Sequence, residues 1–399
     1  MLALRLALGT HPLVLLRRLL VTAASAGVGF LLLCALGYAV GHPGEAPAAL
    51  RRLLWCLLPL AATAHLAVAV ARTDSALRPR TGLSAVGLGP AQLAVLAATS
   101  TAVSCTLGSA VALLVFLHLR GDLTGLPFDG AASELLAAGR PLPLAGAVTL
   151  LAVVPLVASL AAAVALRPRR KPLPDEGAAA RAERREPRRP SAAPTAPAGL
   201  PWGVALIAVG LAVETYAARG ASGGVAALPL PGGLGAGPSG VLAGWVLAAV
   251  GLALAGPGVT HLCGRVLQAL RPGATRLLAG RALMEEARRI GRPLGVACAV
   301  ASATITATTL YGDGGARPFG PLTGLGAGLV MACTTATLLT AALESRQTRF
   351  DTKDALLRLG ASRALLRMAV ALRALTLLVV FAPLTWAVAA LAALPLAAR

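Results

Sequence analysis

Residues 19–40, LLVTAASAGVGFLLLCALGYAV, form an uninterrupted apolar run of 22 residues that directly follows Arg17 and Arg18. An α-helix needs about 20 apolar residues to cross the roughly 30 Å hydrocarbon core of a bilayer. A basic pair before an apolar run also introduces secretory signal peptides, but this run is long for one. We therefore predict an uncleaved first membrane span.

Similar apolar runs recur along the chain and predict about nine spans, within a range of eight to ten. Hydrophobic residues occupy 57% of the 399 positions, charged residues 13%, and the mean hydropathy is +0.76. This balance does not suit a soluble surface, and 3% aromatic residues do not suit a barrel with aromatic girdles. The sequence predicts an all-α, polytopic transmembrane helical bundle with two related halves. The predicted spans are 19–40, 53–70, 93–118, 144–166, 202–218, 241–262, 294–310, 322–343 and 374–395.

The distribution of basic residues predicts the orientation of the chain. With a cytoplasmic N-terminus, 29 of the 36 Lys and Arg residues fall in cytoplasmic segments and 7 fall outside. The net charge of +20 is also typical of nucleic-acid-binding proteins, but those concentrate their charge on a module with stacking aromatics. We therefore expect a multi-pass protein of the plasma membrane that contacts lipids and binds no nucleic acid.

Composition divides the chain into four segments. Residues 1–166 are a first transmembrane half of about four spans, 201–277 are two connecting spans, and 278–399 are a second half of about three spans. Residues 167–200, RPRRKPLPDEGAAARAERREPRRPSAAPTAPAGL, combine charge, proline and alanine without apolar periodicity. This composition predicts a disordered basic cytoplasmic linker between the two halves.

One stretch occurs in both halves. Residues 71–116 align without gaps on residues 344–389, 273 positions later. In each copy a span ends, a polar stretch and a short amphipathic helix follow, and a glycine precedes the next helix. In the second copy, Gly360 is placed to end a helix in the left-handed conformation and Ser362 to cap the next one.

In the first copy, different residues end one helix and begin the next. Gly87 supplies the stop, and Pro90 stands where the first residue of the next helix is expected. A short helix at the cytoplasmic face can dock into a soluble partner or lie on lipid, and its occurrence at two matching positions favours docking. The candidate coupling residues are Leu83, Val86, Gly87, Pro90, Leu356, Arg358, Leu359, Gly360, Ser362 and Arg363.

The pattern around Gly87 and Gly360 resembles the FtsX-like permease domain of ABC transporters. Its elements are a charged residue, an apolar pair, Leu or Val, Gly, any residue, Ser or Gly, and then Arg or Pro. Residues 278–293 and, more weakly, 11–18 look like the basic amphipathic helices that precede spans in this family. The order of spans is similar to the ten-span bacitracin-export branch, although the large extracellular domain and the tenth span of that branch are missing.

The resemblance implies a function. In the family, a separate ATPase contacts this cytoplasmic segment, and ATP hydrolysis drives export or extraction of lipophilic or peptide-like molecules, or mechanical signalling across the membrane. It implies a bacterial permease subunit that acts with an ABC ATPase dimer. No cofactor is expected in this chain, because the partner subunit would bind ATP.

The sequence offers little support for other kinds of chemistry. Neither lysine, Lys171 or Lys353, follows a glycine, which excludes a GxxxxGK[S/T] phosphate loop. The six cysteines never approach CxxC spacing and no catalytic set recurs, so we expect neither a metal site nor enzymatic activity of the chain itself. His65 is a candidate proton-relay or ligand residue, or a neutral histidine bonded to a neighbouring helix. Glu214, beside Tyr216, is expected at the outer interface.

Two other functions stay open. An ion-coupled secondary transporter would need charged or broken helices at mid-membrane depth, and a non-transporting membrane scaffold would recruit partners through the basic linker. Glycines at four-residue spacing, Gly320, Gly324 and Gly328, together with Gly240 and Gly244, predict close helix contacts.

Overall fold

In the part of the chain that the structure describes, a computed structural model, ten α-helices of 10 residues or more account for almost all positions and confirm the predicted all-α bundle. They are α1 Pro12–Gly41, α2 Ala46–Trp55, α3 Leu57–Thr73, α4 Pro90–Arg120, α5 Leu144–Leu166, α6 Gly199–Gly220, α7 Ser239–Ala269, α8 Ala274–Tyr311, α9 Pro321–Thr348 and α10 Arg363–Ala397. Between α6 and α7, β1 Ala227–Leu228 pairs antiparallel with β2 Gly237–Pro238. The structure describes residues 12–73, 90–122, 130–133, 136, 138–167, 197, 199–220, 227–228, 237–269, 273–311, 321–348, 357–358, 360 and 362–397.

Eight helical segments in those ranges are long and apolar enough to cross a membrane, so the chain is a multi-pass membrane protein. They are Val14–Gly41, Ala46–Thr73, Ala94–Arg120, Leu144–Leu166, Gly199–Ala217, Ala243–Ala269, Leu322–Ser345 and Arg363–Leu394. Each corresponds to one predicted span, and α2 and α3 together form the second. The predicted span at 294–310 is not among the eight.

Residues 294–310 instead form the apolar second half of the 38-residue helix α8. α8 packs antiparallel to α7, because Gly264 faces Gly280 and Gly256 faces Gly291. The apolar half of α8 therefore runs beside the first part of α7. Its charged first half accompanies the last part of α7, which explains why the sequence shows only a short apolar run here.

The first half is built around α1, which packs against α3, α4 and α5. A Cβ on Gly108 of α4 would overlap the Ser25 hydroxyl and the Thr22 carbonyl of α1. Backbones that approach this closely are typical of membrane helices, which associate through small residues and dispersion contacts. Leu33 and Phe116 are fully buried in the same seam.

Close approach also joins α6 to α7. Gly244 of α7 lies against the backbone of Gly210 in α6, so the predicted contact at Gly244 is confirmed. Gly203 of α6 and Gly251 of α7 meet further along the same pair. These small residues give α6, α7 and α8 a continuous packed layer.

The glycine prediction for α9 was wrong. Gly324 and Gly328 have open space where a Cβ would lie, whereas Gly326 faces side chains of α1 and α2. Successive helical residues are 100° apart, so glycines two positions from Gly326 point away from its face. Gly320 lies outside the described residues.

The two halves meet along α3 and α9. The Thr63 hydroxyl lies 3.7 Å from the Cys333 sulfur. Cys333 also joins Val21, Leu66 and Ala336 in one buried apolar cluster, which places side chains of α1, α3 and α9 in a common core. Trp55, just before α3, lies against Gly326 of α9, and Thr63 lies against Cys333 further along both helices, so α3 and α9 run parallel. The end of α3 and the end of α9 therefore lie at the same end of the bundle.

Candidate functional site

The turn before α10 has the geometry predicted for the second copy. Gly360 has a φ of +88°, in the left-handed region that favours glycine. The Ser362 hydroxyl accepts a hydrogen bond from the Leu365 N–H at 3.2 Å, which is an N-cap bond, and α10 begins at Arg363. The predicted helix stop and cap are therefore confirmed. Arg358, just before the turn, is exposed.

Residues 71–73 and 90–116 of the first copy are described. α4 begins at Pro90, as predicted, and Arg363 at the start of α10 lies 273 positions later. The two helix starts therefore coincide at the offset given by sequence comparison. The other candidate coupling residues, Leu83, Val86, Gly87, Leu356 and Leu359, lie outside the described residues.

A charged cluster joins α8, α9 and α10 at the same end of the bundle as this turn. Glu286 of α8 is 8% exposed. The Ser345 hydroxyl of α9 donates a hydrogen bond to Glu286 Oε1 at 2.5 Å, and Arg373 of α10 forms an ion pair with Oε2. Beside them, Arg289 Nη2 lies 3.1 Å from Glu344 Oε1. These five residues are called the Glu286 cluster below.

The cluster holds together the helix ends that flank the Gly360 turn. Glu344 and Ser345 lie in the last turns of α9, and Arg373 lies in the early part of α10. Both helices are therefore tied to α8. Separating the two charges of a buried ion pair is strongly unfavourable, because each charge would lose its partner. The segments of α8, α9 and α10 that carry the cluster should therefore move as a unit. With its carboxylate already bound by Ser345 and Arg373, the cluster is suited to transmitting force rather than to chemistry on a substrate.

The Glu286 cluster was not predicted from the sequence, although the sequence contains one signal for it. Ala279, Leu283 and Ala287 of α8 are buried, and Glu286 shares their helical face. An acidic residue on the apolar face of an amphipathic helix needs a partner when it is buried. That pattern indicates a buried carboxylate, but it does not identify Arg373, which is 87 positions away.

His65 does not form a convergent site. Its ring is exposed on α3, and no hydrogen bond joins it to the described residues. No hydrogen bond in the described part of the chain therefore supports His65 as a proton relay or as a link to a neighbouring helix.

Glu214 is fully buried against α7, three residues before the end of the span Gly199–Ala217, so its expected position near the end of that span stays a prediction. Its exposure is 0%, and Trp245 Nε1 donates a hydrogen bond to its Oε1 at 2.7 Å. Its Oε2 has no hydrogen-bond partner in the described ranges. Tyr216, two positions later, is 82% exposed. The two side chains diverge because positions two apart on a helix differ by 200°, and Glu214 faces α7 where Gly244 allows close approach.

The remaining chemistry-bearing side chains are dispersed. All six cysteines are free and buried, which confirms their interpretation as small apolar residues. Within the described ranges, no group of three or more His, Cys, Asp or Glu residues could hold a metal ion. No family model, no curated protein and no solved structure matches the chain.

Proposed function

We propose that this chain is the membrane-embedded permease subunit of an ABC transporter, with the arrangement of the FtsX-like family. The observation that carries the proposal is the Gly360 turn, a left-handed glycine stop followed by a capped helix. Its two flanking helices are fastened to α8 by the Glu286 cluster. A surface element with such a rigid base is suited to receiving movement from a soluble partner.

In this proposal, an ABC ATPase dimer binds at the end of the bundle that carries the Gly360 turn and, by the repeat, the segment around Gly87. Closure of the ATPase on ATP pushes these elements, and the Glu286 cluster moves α8, α9 and α10 together. Contact between α9 and α3 passes the movement to the first half. ATP binds to the partner subunits in this proposal, since the chain contains no GxxxxGK[S/T] phosphate loop.

The proposed location is a bacterial plasma membrane with the N-terminus in the cytoplasm. The support is the charge asymmetry, since 29 of 36 basic residues fall in segments on that side. The substrate class is lipophilic or peptide-like, or the movement itself is the output, as mechanical signalling to envelope partners. Both outputs require an ATPase bound at the cytoplasmic face.

Affinity purification of the full chain from detergent-solubilised native membranes tests the proposal. A Walker-motif ATPase should copurify with the wild type and be lost with Leu356→Asp plus Leu359→Asp. Leu277→Asp plus Leu278→Asp, at two exposed leucines at the start of α8, is the matched control and should retain it. Absence of an ATPase, or equal binding by both double variants, would contradict the permease function. A scaffold would instead lose its partners on deletion of residues 167–200.

An ion-coupled transporter is a second candidate, favoured by one observation. Glu214 is a fully buried carboxyl group with one oxygen unpartnered among the described residues. If it binds the coupling ion, Glu214→Gln should abolish gradient-driven uptake in proteoliposomes. In the ABC permease, the same variant should leave ATPase copurification and ATP hydrolysis unchanged.

A further inference from the structure

Arg17 is buried near the start of α1, beside the end of α3. It is 6% exposed, and its Nη1 donates a long hydrogen bond of 3.4 Å to the Thr73 carbonyl oxygen. Its Nε and Nη2 have no hydrogen-bond partner among the described residues. Three of the five guanidinium N–H groups belong to these two atoms. Leaving a buried cation so poorly matched is strongly unfavourable, which indicates that an acceptor beyond the described residues completes the site.

The Arg17 side chain lines a cavity of about 20 Å³ between α1, α3 and α4. This space admits a group about the size of one oxygen atom or water. Arg18 also lines it and adds a second positive charge. The Ser100, Thr101 and Ser104 hydroxyls on the α4 side donate to backbone carbonyls of their own helix. The guanidinium of Arg17 therefore supplies the donors for a guest.

The positions of the second half that correspond to the cavity carry larger, charged side chains. At the 273-residue offset, Ala71 and Ser100 of the cavity correspond to Glu344 and Arg373 of the Glu286 cluster. In the second half these two long charged side chains fill the seam and form ion pairs within the chain. In the first half small residues leave space, and the described residues provide no carboxylate for Arg17. The second copy thus neutralises its charges within the chain, whereas the described residues of the first copy supply no anion for Arg17.

We propose that the Arg17 cavity binds the phosphate group of an anionic phospholipid. A planar guanidinium recognises phosphate oxygens well because its N–H groups form a fixed fork. The helices that line the cavity also expose large apolar side chains near it, including Leu16 and Leu19 on α1 and Leu96 and Val103 on α4. Acyl chains can lie on these surfaces while a phosphate oxygen enters the cavity. Inorganic phosphate offers the same oxygens to Arg17 but has no acyl chains to lie on these apolar side chains.

Native mass spectrometry of the purified full chain tests this site with three separate probes: dioleoylphosphatidylglycerol, dioleoylglycerol and inorganic phosphate. The wild type should prefer phosphatidylglycerol to dioleoylglycerol. Arg17→Met should weaken phosphatidylglycerol binding by about tenfold to a hundredfold, with dioleoylglycerol unchanged, since charge-assisted hydrogen bonds are lost. Arg167→Met removes an exposed charge at the same end of the bundle and should change neither. Unchanged phosphatidylglycerol binding by Arg17→Met overturns the proposal.

Phosphate binding and the variant Ala71→Glu provide two further tests. If inorganic phosphate binds to the wild type as tightly as phosphatidylglycerol and depends on Arg17, the cavity is a free-phosphate site and the lipid assignment fails. Ala71→Glu covers the case in which Arg17→Met does not fold, because it supplies the missing carboxylate from within. It should abolish the Arg17-dependent phosphatidylglycerol binding and raise the melting temperature above that of Ala71→Gln. Retained lipid preference in Ala71→Glu would contradict the site.

Discussion

Replacing Glu286 by leucine should destabilise the bundle by about 3 kcal/mol. The carboxylate is 8% exposed, accepts a hydrogen bond from Ser345 at 2.5 Å and pairs with Arg373. Removing one member of a buried ion pair costs about 3–5 kcal/mol, because the partner charge remains in place without compensation. The Arg373 side chain keeps 15% exposure, which puts the expectation at the lower end of this range.

The double variant Glu286→Leu plus Arg373→Leu removes both charges and should return to within about 1 kcal/mol of the wild type. Glu285→Leu is the matched control. The Glu285 side chain is 57% exposed and lies 3.6 Å from Arg281, so we expect a change of at most about 0.5 kcal/mol. The free energy of unfolding is measured by titrating dodecyl sulfate into the chain in dodecyl maltoside and following tryptophan fluorescence. Wild-type stability of Glu286→Leu, or a double variant less stable than Glu286→Leu, would refute the reasoning.

Three other perturbations test the fold and the turn. Gly108→Ala should lower the free energy of unfolding in the same titration by about 1–3 kcal/mol, because its Cβ overlaps α1. Gly324→Ala adds its Cβ in open space, so its free energy of unfolding should stay within about 0.5 kcal/mol of the wild type. Gly360→Ala should lower the free energy of unfolding by about 1–2 kcal/mol, since φ is +88° there, and Gly360→Asn should lower it less. Equal losses in the two variants would argue against a left-handed backbone conformation at position 360. In intact cells, an impermeant maleimide should label Gly44→Cys but label Arg358→Cys only after permeabilisation; the opposite pattern would reverse the proposed orientation.

The fold class and the local turn chemistry could be predicted because both are short-range properties of the chain. Apolar run length fixes which segments can cross lipid, and eight of the nine predicted spans match a helix that is long and apolar enough to cross a membrane. The stop at Gly360 and the cap at Ser362 follow from backbone sterics and one side-chain acceptor. Pro90 begins α4 for a similarly local reason, since its missing N–H is not needed there.

The partners of buried polar groups could not be predicted because they depend on which helix faces meet. Glu286 finds Ser345 and Arg373 only after α8, α9 and α10 have packed. Glu214 is buried because a glycine of α7 lets two backbones approach, and its hydrogen bond from Trp245 depends on that approach. Spacing of residues along one helix does not specify the rotation of that helix in the bundle, which is also why the α9 glycines were assigned to the wrong face.

Crosslinking from the Gly360 turn tests the permease assignment most directly. The six native cysteines are buried, so a thiol introduced by Arg358→Cys offers a selective attachment point for a bismaleimide in native membranes. The proposal predicts a crosslink to an ABC ATPase subunit that changes in yield between ATP-bound and nucleotide-free conditions. Gly44→Cys, at the opposite end of α1, should give none. A thiol at position 358 that never captures an ATPase, or captures it no better than one at position 44, would contradict the account.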